Sequence, residues 1–194
     1  MTTIIEQIPK MKMRDTVNLW RNAIRILGDE SKRKQHATAD AVLNAIKREW
    51  IRRRRDPVSP EDIFDWPSTE AAPGSGYLYT EDWIKEGVLQ YMGYRVGNTD
   101  GEPPRIREKI LSEIFKGPIP PAFPPNYLEE WGEPTTVVRL RKLAETIAAL
   151  TRNAKRRRDA RMRAAVRDWE ADLEFLYHEY YVGKFYFAWP ESSI

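Results

Sequence analysis

Three clusters of lysine and arginine are the residues of this sequence best suited to bind a ligand. Lysine and arginine neutralise phosphate groups, and the counterions released from the nucleic acid then favour binding to DNA or RNA. We therefore predict that these eleven cations contact a nucleic-acid backbone. The clusters are Lys32, Arg33 and Lys34; Arg52, Arg53, Arg54 and Arg55; and Lys155, Arg156, Arg157 and Arg158.

Closely spaced carboxylates near the C-terminus could bind a divalent metal. Asp168 and Asp172 are four residues apart, as are Glu170 and Glu174. Carboxylates on one helix can hold Mg²⁺ in a helical hydrolase. On a helix, however, these two pairs lie on different flanks, and no second segment offers a matching acidic set. We interpret them as a solvated helix face, and a metal-dependent hydrolase is the weakest of three functional alternatives.

Other signals of catalysis are poor. The chain has no cysteine, which excludes disulfides, thiolate metal sites and a cysteine nucleophile. His178 is followed by Glu179, but the second histidine of a zinc-binding helix is absent. Gly74-Ser75-Gly76 matches neither a nucleophile elbow nor a phosphate-binding loop. We expect a non-enzymatic protein that needs no cofactor and no metal.

Charge is distributed unevenly along the 194 residues, whose net charge is +3. Residues 1–56 contain 14 Lys and Arg against 7 Asp and Glu, and residues 137–194 contain 12 against 8. Residues 57–136 contain 6 against 14. The pattern predicts a basic N-terminal helical hairpin, an acidic proline-rich connector with two helices, and a basic C-terminal hairpin with an aromatic tail. We expect these regions to form one compact unit.

Location follows from what the sequence lacks. No apolar run reaches the about 20 residues that span a membrane. The first residues lack the basic start and long apolar core of a signal peptide. We therefore expect a cytoplasmic protein without a membrane partner.

Apolar residues recur at helical spacing in both basic regions, so we predict an all-α fold with little or no strand. The pattern predicts two antiparallel helical hairpins, with residues 1–13 as a loosely held arm. In the connector it predicts a turn at 61–64, helices over about 81–92 and 103–116, and a proline-rich strap over 117–134 that packs over the surface. The apolar stripes are Val17, Trp20, Ala23, Ile24 and Leu27; Val42, Leu43, Ile46 and Trp50; and Met162, Val166, Trp169, Leu173, Leu176 and Tyr180.

The two hairpins also resemble each other in sequence. The block from Asp40 to Trp50 matches the block from Asp159 to Trp169 without a gap, with shared Asp, Ala, Arg and Trp positions. Internal duplication of one hairpin is our hypothesis. The alternative is that two amphipathic helices share apolar spacing by necessity.

The favoured function is non-enzymatic binding of DNA or RNA through backbone contacts, because two of the basic clusters fall in the turns between paired helices. Turns project from a helical bundle, so their cations can reach phosphates without disturbing the core. The alternative is a helical adaptor or assembly subunit whose basic surface binds an acidic protein partner. The sequence leaves open the choice between DNA and RNA, the oligomeric state and the biological pathway.

Overall fold

A computed structural model describes residues 3–55 and 87–193 of the chain. The described residues contain α-helices and no strand, which confirms the predicted all-α class. The turn predicted at 61–64 and the start of the helix predicted over 81–92 lie outside them. The helices are α1 Ile4–Gln7, α2 Met13–Gly28, α3 His36–Arg55, α4 Val88–Tyr91, α5 Pro104–Lys116, α6 Pro125–Trp131, α7 Val137–Arg157 and α8 Arg163–Leu176.

Helices α2 and α3 pack along each other in opposite directions. The Trp50 indole N–H, near the end of α3, donates a 2.9 Å hydrogen bond to the hydroxyl of Thr16, near the start of α2. The rings of Trp20 and Trp50 lie 6.2 Å apart, and both residues are buried. A buried indole is favourable when its N–H finds a partner. This contact therefore fixes the outer ends of α2 and α3 together.

Helix α5 is the central element, because it packs against α2 on one side and against α7 and α8 on the other. It approaches α2 closely at Gly28, where a β-carbon would lie 2.1 Å from Cδ1 of Ile106. On the other side the Tyr180 hydroxyl donates to Ser112 at 2.7 Å. One apolar core consequently runs through the described residues of both basic regions.

A buried arginine joins α7 to the ends of two other helices. The Arg139 guanidinium donates to the carbonyls of Ile114 and Gly117 at the end of α5, at 2.7 and 3.1 Å. It also donates to the carbonyls of Trp131 and Gly132 at the end of α6. The last carbonyls of a helix lack intrahelical partners and carry a partial negative charge. Burial lowers the pKa of Arg139 to about 10, which still leaves it charged at neutral pH.

The prediction of a loosely held N-terminal arm is wrong. Thr3 and Glu6 form a capping box around α1, and Ile8 is only 1% exposed. Arg53 of α3 donates to the backbone carbonyls of Ile8 and Met11. The arm is held because one apolar anchor and one arginine fix it against α3.

The proline-rich strap over 117–134 contributes Phe123 and Trp131 to the buried core, and it contains a helix, α6, that the sequence did not predict. Pro124 caps α6 and Pro125 is its first residue. Proline is tolerated there because the first N–H groups of a helix have no intrahelical partner. Of the helix predicted over 81–92, the described residues show only the short α4.

The aromatic tail folds back onto the bundle. A π-helical turn, Tyr177–Tyr181, extends α8, and Phe187 and Trp189 then pack on the ring of Tyr181 at 4.9 Å. Further along, the carbonyls of Glu191 and Ser192 accept hydrogen bonds from Arg152 and Lys155 of α7. The tail therefore runs along α7 as a cover for the core. Among the described helices, none is both long and apolar enough to cross a membrane.

The duplication stays a hypothesis. Asp159 precedes α8, and its carboxylate accepts the N–H of Arg161 at 2.9 Å. Its sequence match, Asp40, lies inside α3 instead. The residue with the equivalent contact is Asp29, which accepts the N–H of Ser31 at 3.0 Å. The sequence register of the proposed repeat therefore differs from the register of the local structure.

Candidate nucleic-acid interface

The turns between the paired helices lie at the same end of the molecule. We call residues 29–35 the first elbow and residues 158–162 the second elbow. Arg105, at the start of α5, forms a 2.8 Å ion pair with Glu30 of the first elbow. The loop before α5 reaches α8 close to the second elbow, since the N–H of Gly97 donates to Asp168 at 2.8 Å. Both elbows therefore flank the N-terminal end of α5, which we call the elbow end.

The spacing of the elbows follows from the packing order. Helix α5 separates α2 from α8, and packed helices lie about 8–10 Å apart. The elbows are thus on the order of 20 Å apart, which is the length of about six base pairs at a rise of 3.4 Å. One short stretch of nucleic acid could reach both.

The cluster Arg52–Arg55 lies at the opposite end. The 20 residues of α3 separate it from the first elbow by about 30 Å. Arg52 and Arg53 pair with Glu49 at 2.7 and 2.6 Å, and Arg54 lies 3.4 Å from Glu133. The structure therefore brings together two of the three predicted clusters and gives the third structural contacts.

Glu49 is the acceptor that organises this opposite end. It is buried on the face of α3 that meets the N-terminal arm. The hydrogen bond from Arg52 lowers the pKa of Glu49; burial acts in the opposite direction and Arg53 adds to the lowering. Glu49 is consequently ionised at neutral pH and holds both guanidinium groups in place.

The first elbow is a short 3₁₀ segment, Glu30–Gln35, that begins at Asp29. The hydrogen bond from Ser31 lowers the pKa of Asp29, and Lys32 at 3.2 Å adds to this effect. Arg33 and Lys34 are exposed, and neither forms an ion pair with a described residue. The cations of this elbow are therefore partly neutralised.

The second elbow carries more uncompensated charge. The prediction that the whole cluster Lys155–Arg158 lies in a turn is wrong, because α7 continues through Arg157. Arg156 and Arg157 are exposed in its last turn, with no ion pair to a described residue. Arg158 ends α7 with φ of +52°. Lys155 pairs with Glu170 at 2.6 Å, and Arg161 pairs with Asp159 at 2.8 Å. The Arg161 hydrogen bond also lowers the pKa of Asp159.

A groove of about 540 Å³ runs beside the second elbow, between the end of α7 and the start of α8. Two of its arginines, Arg163 and Arg167, were not among the predicted contacts. Their spacing of four residues places them on one face of α8, a signal that the sequence contains. We call this feature the second-elbow groove. It is lined by Ala154, Lys155, Arg158, Asp159, Arg163, Val166 and Arg167.

The interpretation of the C-terminal carboxylates as a solvated face is wrong for Asp172, which is 2% exposed. Arg107 of α5 and the hydroxyl of Tyr94 donate to Asp172 at 2.8 and 2.6 Å. Arg107 also lies 3.3 Å from Asp168. Sequence periodicity could not show this, because it depends on α5 packing against that flank of α8.

Burial raises the pKa of Asp172, while the hydrogen bonds from Arg107 and Tyr94 act in the opposite direction. A metal ion bound here would have to displace the Arg107 guanidinium from both aspartates. Glu170 is engaged by Lys155, and Glu174 lies on the exposed side near His178. Within residues 3–55 and 87–193, no three potential metal ligands are grouped together. We therefore interpret the network around Arg107 as structural.

Comparison with known protein families, with curated proteins and with solved structures gives no match to this chain. The case for a function therefore rests on the geometry and charge of the elbow end.

Proposed function

We propose that the elbow end binds the phosphate backbone of DNA or RNA, without catalysis and with little reading of bases. The observation that carries this proposal is the placement of two basic clusters at one end of the bundle. Their exposed cations include Arg33 and Lys34 on the first elbow, Arg158 on the second, and Arg156 and Arg157 at the end of α7. Long cationic side chains on projecting turns can follow a phosphate backbone without a fixed sequence.

The carboxylates near these cations are largely engaged by other side chains. Glu30 pairs with Arg105, and Glu102 pairs with Arg25 at 2.5 Å. Asp29 and Asp159 pair with cations of their own elbows. Asp100, in the loop before α5, is exposed and would locally repel a phosphate. The net charge of the elbow end is therefore positive.

The test compares two double variants that each remove two positive charges. Arg156→Gln with Arg157→Gln alters the elbow end, and Arg54→Gln with Arg55→Gln alters the opposite end. Both variants have the same net charge, so nonspecific effects of total charge cancel. Affinity for labelled duplex and single strands is measured by fluorescence anisotropy at several salt concentrations.

We expect the elbow-end variant to bind more weakly across all sequences. Its slope of log affinity against log salt should shrink by up to about 1.8 on duplex DNA, since each lost phosphate contact removes about 0.9. The opposite-end variant should bind like the wild type. Equal losses in both variants would refute the assignment to the elbow end, and a change in sequence preference would indicate base reading.

The same cations could instead bind an acidic protein partner, which is the adaptor alternative. Failure of wild-type protein to bind either strand type at low salt would exclude the nucleic-acid proposal. Nuclease-resistant capture of an acidic protein that is lost in the elbow-end variant would then support the adaptor function.

A further inference from the structure

We propose that the second-elbow groove binds a terminal phosphate monoester of a nucleic-acid strand. This inference rests on the proposed function and makes one part of it specific. A chain-internal phosphodiester carries a single negative charge. A phosphate monoester carries about −1.5 to −2 at neutral pH and offers three strong acceptor oxygens.

The convergence of charge in one concave site is the first observation. Lys155 and Arg158 line the groove from the α7 side, and Arg163 and Arg167 line it from α8. Asp159, the carboxylate in the lining, already accepts hydrogen bonds from Arg161. Contacts to a continuous backbone need cations spread along its length. Lys155 already pairs with Glu170, but Arg158, Arg163 and Arg167 form no ion pair with a described residue, and cations gathered around one groove suit a single, more highly charged group.

The positions of the α8 arginines are the second observation. Arg163 is the first residue of α8 and directly follows a 3₁₀ turn, Ala160–Met162, that Asp159 caps; the first turn of neither helix contains an acidic residue. Helix N-termini carry a partial positive charge, so cations there are electrostatically unfavourable. No ion pair with a described residue explains Arg163 at this position, since Asp159 is engaged by Arg161. A bound anion would account for it, because the anion interacts favourably with the arginine and with the helix.

The backbone of Arg158 is the third observation. Its φ of +52° is the left-handed conformation in which a helix usually ends with glycine. A β-carbon is sterically disfavoured there, and a residue held in such a conformation motivates a search for function. Favourable interaction with the helix dipole is not a sufficient reason for arginine, since Lys155, Arg156 and Arg157 already supply cations in that turn.

The groove also has room for more than a phosphate. Its volume of about 540 Å³ lies within the range of small-molecule sites. Ala154 and Val166 contribute apolar surface between the cations. A terminal sugar could pack there while the phosphate contacts the guanidinium groups.

The first experiment measures binding of internally labelled single strands that share one sequence. One strand has a 5′-phosphate, one has a 3′-phosphate, and one has hydroxyl groups at both ends. We expect wild-type protein to bind at least one phosphorylated strand about tenfold more tightly than the strand without a terminal phosphate. Equal binding of all three strands would overturn this inference and leave the proposed function intact. Failure to bind any of them would overturn both.

Adenosine monophosphate serves as a competitor and distinguishes a strand end from a free nucleotide. We expect it to displace the phosphorylated strand only at concentrations far above the dissociation constant of that strand. Displacement at comparable concentrations would identify a free nucleotide as the ligand and overturn the assignment to a strand end.

The decisive variant is Arg158→Gly, which removes a groove cation and relieves the left-handed backbone. We expect it to lose the preference for the terminal phosphate while its Tm rises by about 2–4 °C. The matched control is Arg157→Gln, which removes one charge next to the groove and should weaken binding of all strands alike. A lower Tm with unchanged preference in Arg158→Gly would show that Arg158 is structural and refute its role in binding.

Discussion

Replacing Arg139 with methionine should sharply destabilise the fold. Methionine keeps an unbranched apolar stem but removes every hydrogen bond of the guanidinium. Three of those bonds are buried, to the carbonyls of Ile114, Gly117 and Trp131. The change therefore removes the acceptors' partners at the ends of α5 and α6 without opening a large cavity.

The magnitude follows from these carbonyls. Each buried acceptor left without a partner costs about 1–3 kcal/mol. The variant no longer has to desolvate a cation, and this gain offsets part of the cost of the unpartnered carbonyls. Arg139 forms no ion pair with a described carboxylate. Two helix C-termini together carry about one negative charge, so they already compensate the guanidinium. We expect a net loss of about 3–5 kcal/mol, as when one partner of a buried charged pair is removed.

Urea unfolding followed by tryptophan fluorescence measures this loss. Against a typical total of about 5–15 kcal/mol, the expected change is large. The control is Arg156→Met, on the exposed surface of the same helix, which should stay within about 0.5 kcal/mol of wild type. A change of less than about 1 kcal/mol in the unfolding free energy of Arg139→Met would mean that water hydrogen-bonds the carbonyls at the ends of α5 and α6. The structural role of Arg139 would then be refuted.

Two further predictions concern tryptophan packing and acid stability. Replacing Trp50 or Trp169 with Ala should cost about 3–5 kcal/mol each. The two Phe variants should differ in urea unfolding. Trp50→Phe also loses the hydrogen bond to Thr16 and should therefore cost about 1 kcal/mol more than Trp169→Phe. The indole N–H of Trp169 has no hydrogen-bond partner among the described residues to lose. Folding lowers the pKa of Glu49 below its ordinary value of 4.5. The ionised carboxylate therefore stabilises the fold above pH 4.5, and this stabilisation is lost as the pH falls through the pKa of the folded state. The stability gap between wild type and Glu49→Gln should therefore be full at pH 7 and shrink as the pH falls below 4.5; a gap independent of pH would contradict this reasoning.

Helical periodicity predicted the long helices because each buries one continuous apolar face. The stripe of the last helix is an example: Trp169, Leu173, Leu176 and Tyr180 are all buried. Short helices escaped the same method. Helix α6 has seven residues among prolines, too few to show a period, and α1 has four. The available signals were Pro125, at the first position of α6, and Thr3, which caps α1.

The buried charges could not be predicted from the sequence. Arg107, Arg139 and Asp172 lie on helix flanks where charged residues are normally solvated. Each becomes buried only because another helix packs there and supplies partners. The candidate site was partly predictable, since both clusters are visible in the sequence as runs of basic residues. Their position at one end of the molecule was not predictable, because it depends on the directions of α2 and α7 relative to α5.

The basic clusters differ in how far the fold itself explains them. Arg52–Arg55 end α3, where the helix dipole favours cations, and three of the four pair with carboxylates. The first elbow is intermediate, because Lys32 pairs with Asp29 while Arg33 and Lys34 do not pair with a described residue. The dipole of α7 likewise favours Lys155, Arg156 and Arg157, but the second elbow and the start of α8 add Arg158, Arg163 and Arg167, which form no ion pair with a described residue. Intramolecular stability thus explains least of its charge, and we propose that this elbow dominates binding.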